Sequence, residues 1–158
     1  MPEKFKALLA TDNDAGKSVS AFTEFTLDDL PAGDTVVRVA YSTLNYKDGL
    51  AINGNRGKVL RQSPMIPGID LCGTIKSTES ADYKVGDKVI ITGWGLSETE
   101  WGGYTQVARV KSEWLVPLPD GMTLQQSMAI GTAGFTSMLA VMGLEHMGLA
   151  PDSGPILV

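Results

Sequence analysis

The sequence carries one cysteine and one histidine in 158 residues. With Cys72 alone, no internal disulfide can form, and the chain suits a reducing, cytosolic compartment. A zinc site draws three or four ligands, mostly Cys and His, so Cys72 and His146 cannot build one between them. No tight group of Asp, Glu and His suggests a hard-cation site either. Clustered cations are also missing. The formal charge is −5 and the isoelectric point is near 4.8, with Lys and Arg scattered, which argues against a nucleic-acid partner. Long apolar runs are absent; "FTSMLAVMGL" is about half of what a bilayer requires. The opening "MPEKFKALLATDND" has no apolar stretch of signal-peptide length. The expectation is a cytoplasmic protein without a membrane partner.

What is present changes character near residue 123. Up to about residue 120 the chain reads as short strands: "FKALLAT", "TVVRVAYSTL", "GDKVIIT", "GGYTQVARV" and "EWLVPLP". Glycine and proline punctuate the gaps, as in "LPAGD", "INGNRG" and "PLPDG". Strands at this spacing predict a barrel or sandwich. Alternation in the second strand puts Val37, Val39 and Tyr41 on one face and Val36, Arg38 and Ala40 on the other. Cys72 reads as a small buried hydrophobe.

After "PLPDG" the pattern turns helical. Thr123 and Gln126 have the spacing of a capping box and start a helix. Phe135, Met138, Leu139 and Met142 recur at helical spacing and read as core. His146 falls near the helix end, where a cation opposes the dipole, and Gly148 supplies the stop. The loop "LAPDSG" then leads to Ile156, Leu157 and Val158, the start of a strand apolar on both faces. The organisation expected is a mainly β unit over 1–122 and the beginning of an α/β unit over 123–158.

Two stretches hold polar groups worth testing. In "STLNYKDGL" a strand ends and a short helix begins, with Asn45, Tyr46, Lys47 and Asp48 adjacent. One reading is a turn in which Asn and Asp bond local backbone. The other is a site in which an amide, a phenol and an ammonium hold and protonate a carbonyl compound. In "PMIPGIDLCGTI", Asp70 sits inside an apolar strand and needs partners, such as backbone N–H groups of a neighbouring loop.

Together the stretches "STLNYKDGLAI", "PMIPGIDLCGTI", "YKVGDKVIITGWG", "WGGYTQVARV", "WLVPLPDGM" and "MAIGTAGFTSMLAVM" resemble the zinc-independent medium-chain dehydrogenase/reductase superfamily. Within it, "NYKD" with "TGWG…WGG" is similar to the acrylyl-CoA reductase and quinone oxidoreductase group. The resemblance implies a GroES-like barrel followed by the first helices and first strand of a truncated Rossmann domain. It also implies that a glycine-rich NADPH-binding turn follows the "GPILV" strand. Zinc-dependent members place a Cys where Asn45 stands, a His where Ile69 stands and a third ligand near Ala129, so metal polarisation gives way to hydrogen bonding here.

Carried over from that resemblance, Tyr46 lies against the bound NADPH, Asn45 lies near the reacting carbons, and Thr132 lies near the nicotinamide. Lys47 completes the motif on the substrate side, and Asp48 and Asp70 are structural acids. Arg61 and Lys58, in "GNRGKVLRQ", are candidates for CoA phosphates or simply members of an exposed loop. The implied reaction is NADPH-dependent reduction of the double bond of acrylyl-CoA or a similar enoyl thioester, in a homodimer. A quinone or enal reductase of the same fold, and a GroES-like binding module without redox chemistry, are the alternatives.

Overall fold

The structure, a computed structural model, describes residues 3–12, 18–53 and 59–156. Two antiparallel sheets form its first part. Strands β1 (Phe5–Asp12) and β2 (Ser18–Phe25) make a hairpin. A five-stranded sheet has the order β6–β3–β4–β5–β7, with β3 Thr35–Ser42, β4 Asp70–Thr78, β5 Lys88–Thr92, β6 Val107–Val110 and β7 Val116–Pro117. Helix α1 (Tyr46–Ile52) lies between β3 and β4. Helix α2 (Leu124–His146) follows the last strand.

The sheet is apolar on both faces, which decides how β3 packs. Val37 joins Leu71, Ile75, Val89, Ile91 and Trp114 in one core. Val36 joins Phe5, Phe25, Leu30 and Ile66 in the other, under the β1–β2 hairpin. Each fully buried aliphatic side chain contributes about 1.5–3 kcal/mol. The expected alternation holds through Val39, which packs on the Val37 core, and fails at Tyr41. Register shifts interrupt the β3–β4 pairing at Val36/Val37 and at Val39/Tyr41, and Tyr41 emerges exposed. Cys72, opposite Tyr41, is fully buried, and burial pushes its thiol above the usual range.

Some expected strands are shorter. The run "GGYTQVARV" is a strand only from Val107, and "EWLVPLP" is a 3-10 turn over Ser112–Trp114 followed by the two-residue β7. Strand β2 was not expected, because Val19 and Phe22 are exposed and blur its alternation.

Thr123 caps α2, and its hydroxyl accepts a hydrogen bond from the Gln126 amide at 3.2 Å. His146 is the last residue of the helix, and Gly148 beyond it has φ +83°. The helix breaks at Gly131 (φ 49°, ψ −161°), a backbone region that favours glycine. Its first turns bury Ser127 and Met128. The apolar residues of the later turns are uncovered in this chain. Phe135 (53% exposed), Met138 (55%), Leu139 and Met142 stand in solvent, since no described element packs on that face.

At 23 residues and a mean hydropathy of 1.4 over its most apolar window, α2 also has the length and composition of a membrane-crossing helix. The sequence reading had placed the apolar run at half that length. Ile156 is exposed and in no strand. Leu157, Val158 and the candidate Lys58 lie outside the described residues.

Candidate active site

The end of β3, the start of α1, the start of β4 and the kink of α2 meet around one buried carboxylate. Asp70 is the first residue of β4 and is fully buried. Its Oδ2 accepts from Thr43 Oγ1 (2.6 Å), Asn45 Nδ2 (3.2 Å) and the Thr132 backbone N–H (3.1 Å). Thr132 Oγ1 donates to Oδ1. The expectation of backbone partners from a neighbouring loop holds for one contact only, and the other three donors are side chains. Such a set of donors is what makes a buried carboxylate tolerable.

Asp48 is equally buried and ties the start of α1 to the loop that leads into β4. Its Oδ2 accepts the Asn45 backbone N–H at 2.9 Å, and its Oδ1 accepts the Ile69 backbone N–H at 3.1 Å. Carboxylates only accept, so the Asn45 amide nitrogen must face them. Asn45 Nδ2 donates to Thr43 Oγ1 (2.6 Å) as well as to Asp70. Its amide hydrogens are thus committed inside the protein. Thr132, expected near the nicotinamide, likewise has its N–H and its hydroxyl hydrogen committed to Asp70.

The next two residues of α1 differ. Tyr46 is 84% exposed and, with Leu44, Asn45, Gly49, Leu50 and Asn53, lines an open groove of about 410 Å³. Lys47 Nζ pairs with Glu98 Oε1. Arg61 meets the same carboxylate, its Nε 3.9 Å from Oε2. Two of the candidate substrate cations, Lys47 and Arg61, therefore converge on a residue that sequence reasoning did not single out.

Two further residues, Tyr104 and Gly131, shape the site. Tyr104 Oη donates to the Thr43 carbonyl at 2.9 Å. Burial first, and then the nearby Asp48 and Asp70 carboxylates, push its phenol far above the usual range, so it stays a proton-bearing donor. Gly131 must be glycine. A Cβ there would lie 2.6 Å from Thr43 Cγ2 and 3.1 Å from Asp70 Oδ2. Thr43 lies inside "STLNYKD" and Tyr104 inside "WGGYTQ", so both were within reach of the motif reading, but only the three-dimensional pairing gives them roles. Among the described residues, no group of three or more His, Cys, Asp or Glu side chains converges as metal ligands would.

Comparison with known proteins gives this arrangement a context. The alcohol dehydrogenase GroES-like domain family matches residues 31–120. Acrylyl-CoA reductase AcuI of Ruegeria pomeroyi is 52% identical over 98% of this chain and 47% of its own length. The Bacillus subtilis protein named "Putative quinone oxidoreductase YhfP" is 43% identical over 100% of this chain and 47% of its own. The crystal structure of the yhdH oxidoreductase from Salmonella enterica in complex with NADP superposes with a TM-score of 0.90 at 48% identity. It covers 94% of this chain and 45% of that one. The chain spans about half the length of the curated relatives it matches. By its matched domain and these relatives, the chain belongs to the alcohol dehydrogenase GroES-like family, within the medium-chain dehydrogenase/reductases.

Proposed function

We propose that the whole protein is an NADPH-dependent oxidoreductase that reduces the conjugated double bond of acrylyl-CoA, or of a similar enoyl thioester, without a metal. The observation that carries this reading is the placement of Tyr46 and Lys47. They open α1, Tyr46 lines an exposed groove, and Asp48 and Asp70 lock the backbone behind them. The name of the Ruegeria relative and the NADP held by the Salmonella protein support it.

NADPH, when bound, supplies the hydride. The exposed Tyr46 ring offers it an aromatic face, and Thr132 offers an oxygen lone pair. The chain's own residues handle charge and protons. Negative charge developing on the thioester oxygen meets the Lys47 ammonium, and the Tyr46 phenol stands where a proton can reach the α-carbon. Asn45 takes a positioning role, because its amide hydrogens hold α1 to Asp70. Residues 1–122 form the catalytic unit in this reading and 123–158 begin the cofactor unit. The protein works in the cytoplasm as a homodimer.

A second reading, reduction of a quinone or enal on the same site, is favoured by the name of the Bacillus relative. Turnover of the whole protein with acrylyl-CoA, crotonyl-CoA and a small quinone, each with NADPH and NADH, separates the two. The first reading expects acrylyl-CoA with NADPH to be the best pair, unchanged by EDTA. Preference for the quinone supports the second reading, and loss of activity to chelator with recovery on adding zinc contradicts both.

A further inference from the structure

Helix α1 holds a glycine in its interior for which the described residues give no reason. Gly49 is bonded as any helical residue is. Its N–H donates to the Asn45 carbonyl at 3.2 Å, and its carbonyl accepts the Asn53 N–H at 3.0 Å. Its φ lies outside the left-handed region, so the backbone does not call for glycine. Packing does not call for it either. Among the described residues, a Cβ at Gly49 would meet nothing within 4 Å beyond its chain neighbours and the backbone of its own helix. The glycines around Asp70 differ. A Cβ at Gly103 would run into the Asp70 carbonyl, and one at Gly131 into Thr43, so the fold itself excludes a side chain there. Glycine weakens a helix interior relative to alanine. A position that holds it without a structural need keeps room for something else.

That room is the floor of the groove. Tyr46, Gly49, Leu50 and Asn53 recur at i, i+3, i+4 and i+7 and share one face of α1. Asp48 and Ala51, on the other face, are fully buried. With Leu44 and Asn45, the four residues line the groove of about 410 Å³. Leu44 and Leu50 make its lining apolar, and the exposed Asn53 offers an amide two turns along from Tyr46. An open groove of this mixed character suits an extended chain of methylenes and amides. A compact apolar group gains more from an enclosed pocket.

We infer that Gly49 is a specificity-determining residue, which clears the groove floor for the amide-bearing arm next to the sulfur of a thioester substrate. This rests on the proposed enoyl-thioester reduction and names the part of the substrate that α1 reads. Methylenes of the arm lie over Gly49 against Leu44 and Leu50, and Asn53 meets one of its amides.

The test uses the whole protein with Gly49→Ala and Gly49→Leu. Both residues form helix better than glycine, so each variant keeps its melting temperature or gains about 1–3 °C. Gly49→Leu fills the groove and lowers kcat/KM for acrylyl-CoA about 10-fold or more, the scale of overfilling a packed site. Gly49→Ala, with one added carbon, lowers it less. A small quinone has no such arm, so the ratio of kcat/KM for acrylyl-CoA to that for the quinone falls in Gly49→Leu. NADPH, titrated by fluorescence, binds both variants as it binds the wild type. An unchanged kcat/KM for acrylyl-CoA in Gly49→Leu overturns the inference. So does an equal loss with the quinone, or weaker NADPH binding, which would give the space to the reacting centre or to the cofactor. A lower melting temperature in either variant also overturns it, because the rest of the protein would then pack on Gly49. A wild-type protein that reduces the quinone and not acrylyl-CoA sinks the thioester reading and the arm with it. Equal reduction of acrylyl-CoA by wild type and Gly49→Leu sinks the arm alone.

Discussion

Asp70 and Thr132 stand 62 residues apart in sequence and share two hydrogen bonds, one from the Thr132 backbone N–H and one from its hydroxyl. Through this pair the first strand residue of β4 holds the kink of α2, and Gly131 leaves the room for it.

Removing the carboxylate should therefore unfasten several elements together. Asp70→Ala leaves Thr43, Asn45 and Thr132 with unpaired donors in a buried site and should cost about 3 kcal/mol. Gly131→Ala should cost about 1–3 kcal/mol through its positive φ and the contact with Thr43. Chemical denaturation of each variant checks both figures, and wild-type midpoints would mean that the network carries no stability.

Tyr46→Phe in the whole protein should lower turnover roughly 10- to 1000-fold with the fold intact, if the phenol supplies a proton or a hydrogen bond. Weaker NADPH binding at near-normal turnover would instead limit Tyr46 to packing on the cofactor. Wild-type values for both would remove it from the site.

Asp34 gives a pH signature. Partial burial pushes its pKa up, but the Ser112 hydroxyl and amide, each 2.6 Å from a carboxylate oxygen, outweigh this and hold it below the usual range. Stability from such a group is present above the unfolded carboxylate value of about 3.9 and is lost as pH falls through the lower folded value. Asp34→Asn should cost about 1–2 kcal/mol at neutral pH. The gap to wild type should close as pH drops below about 4. Denaturation curves across that range measure it, and a pH-independent gap would contradict the assignment.

The 158-residue chain by itself should self-associate and leave NADPH unbound. Ile130, Phe135, Met138, Leu139, Val141 and Met142 expose an apolar face on α2, and such patches drive association. The sequence also has no G-x-G-x-x-G turn to cradle a pyrophosphate. Light scattering alongside an NADPH fluorescence titration tests both points. A clean monomer with micromolar NADPH affinity would contradict them.

Much of the fold was legible because its signals are local. Glycine and proline mark the turns, and Thr123 with Gln126 marks the start of α2. The tip "NYKD" was legible as a motif, and the need of Asp70 for partners followed from one acid in an apolar strand. The partners themselves were not legible. Thr43 and Thr132 reach Asp70 from distant parts of the chain, and Glu98 reaches Lys47 across 51 positions. Long-range pairing of this kind leaves no periodic trace. The apolar face of α2 was legible for the same local reason, since helical spacing reports that a face is apolar but not what covers it.

The central claim is tested most directly by following the hydride. The whole protein is given acrylyl-CoA and NADPH deuterated at the transferable position, and the product is read by mass spectrometry and NMR. The account predicts propionyl-CoA with one deuterium on the β-carbon and a solvent-derived proton on the α-carbon. Unlabelled product, deuterium at the α-carbon, or no reduction of the thioester would contradict it.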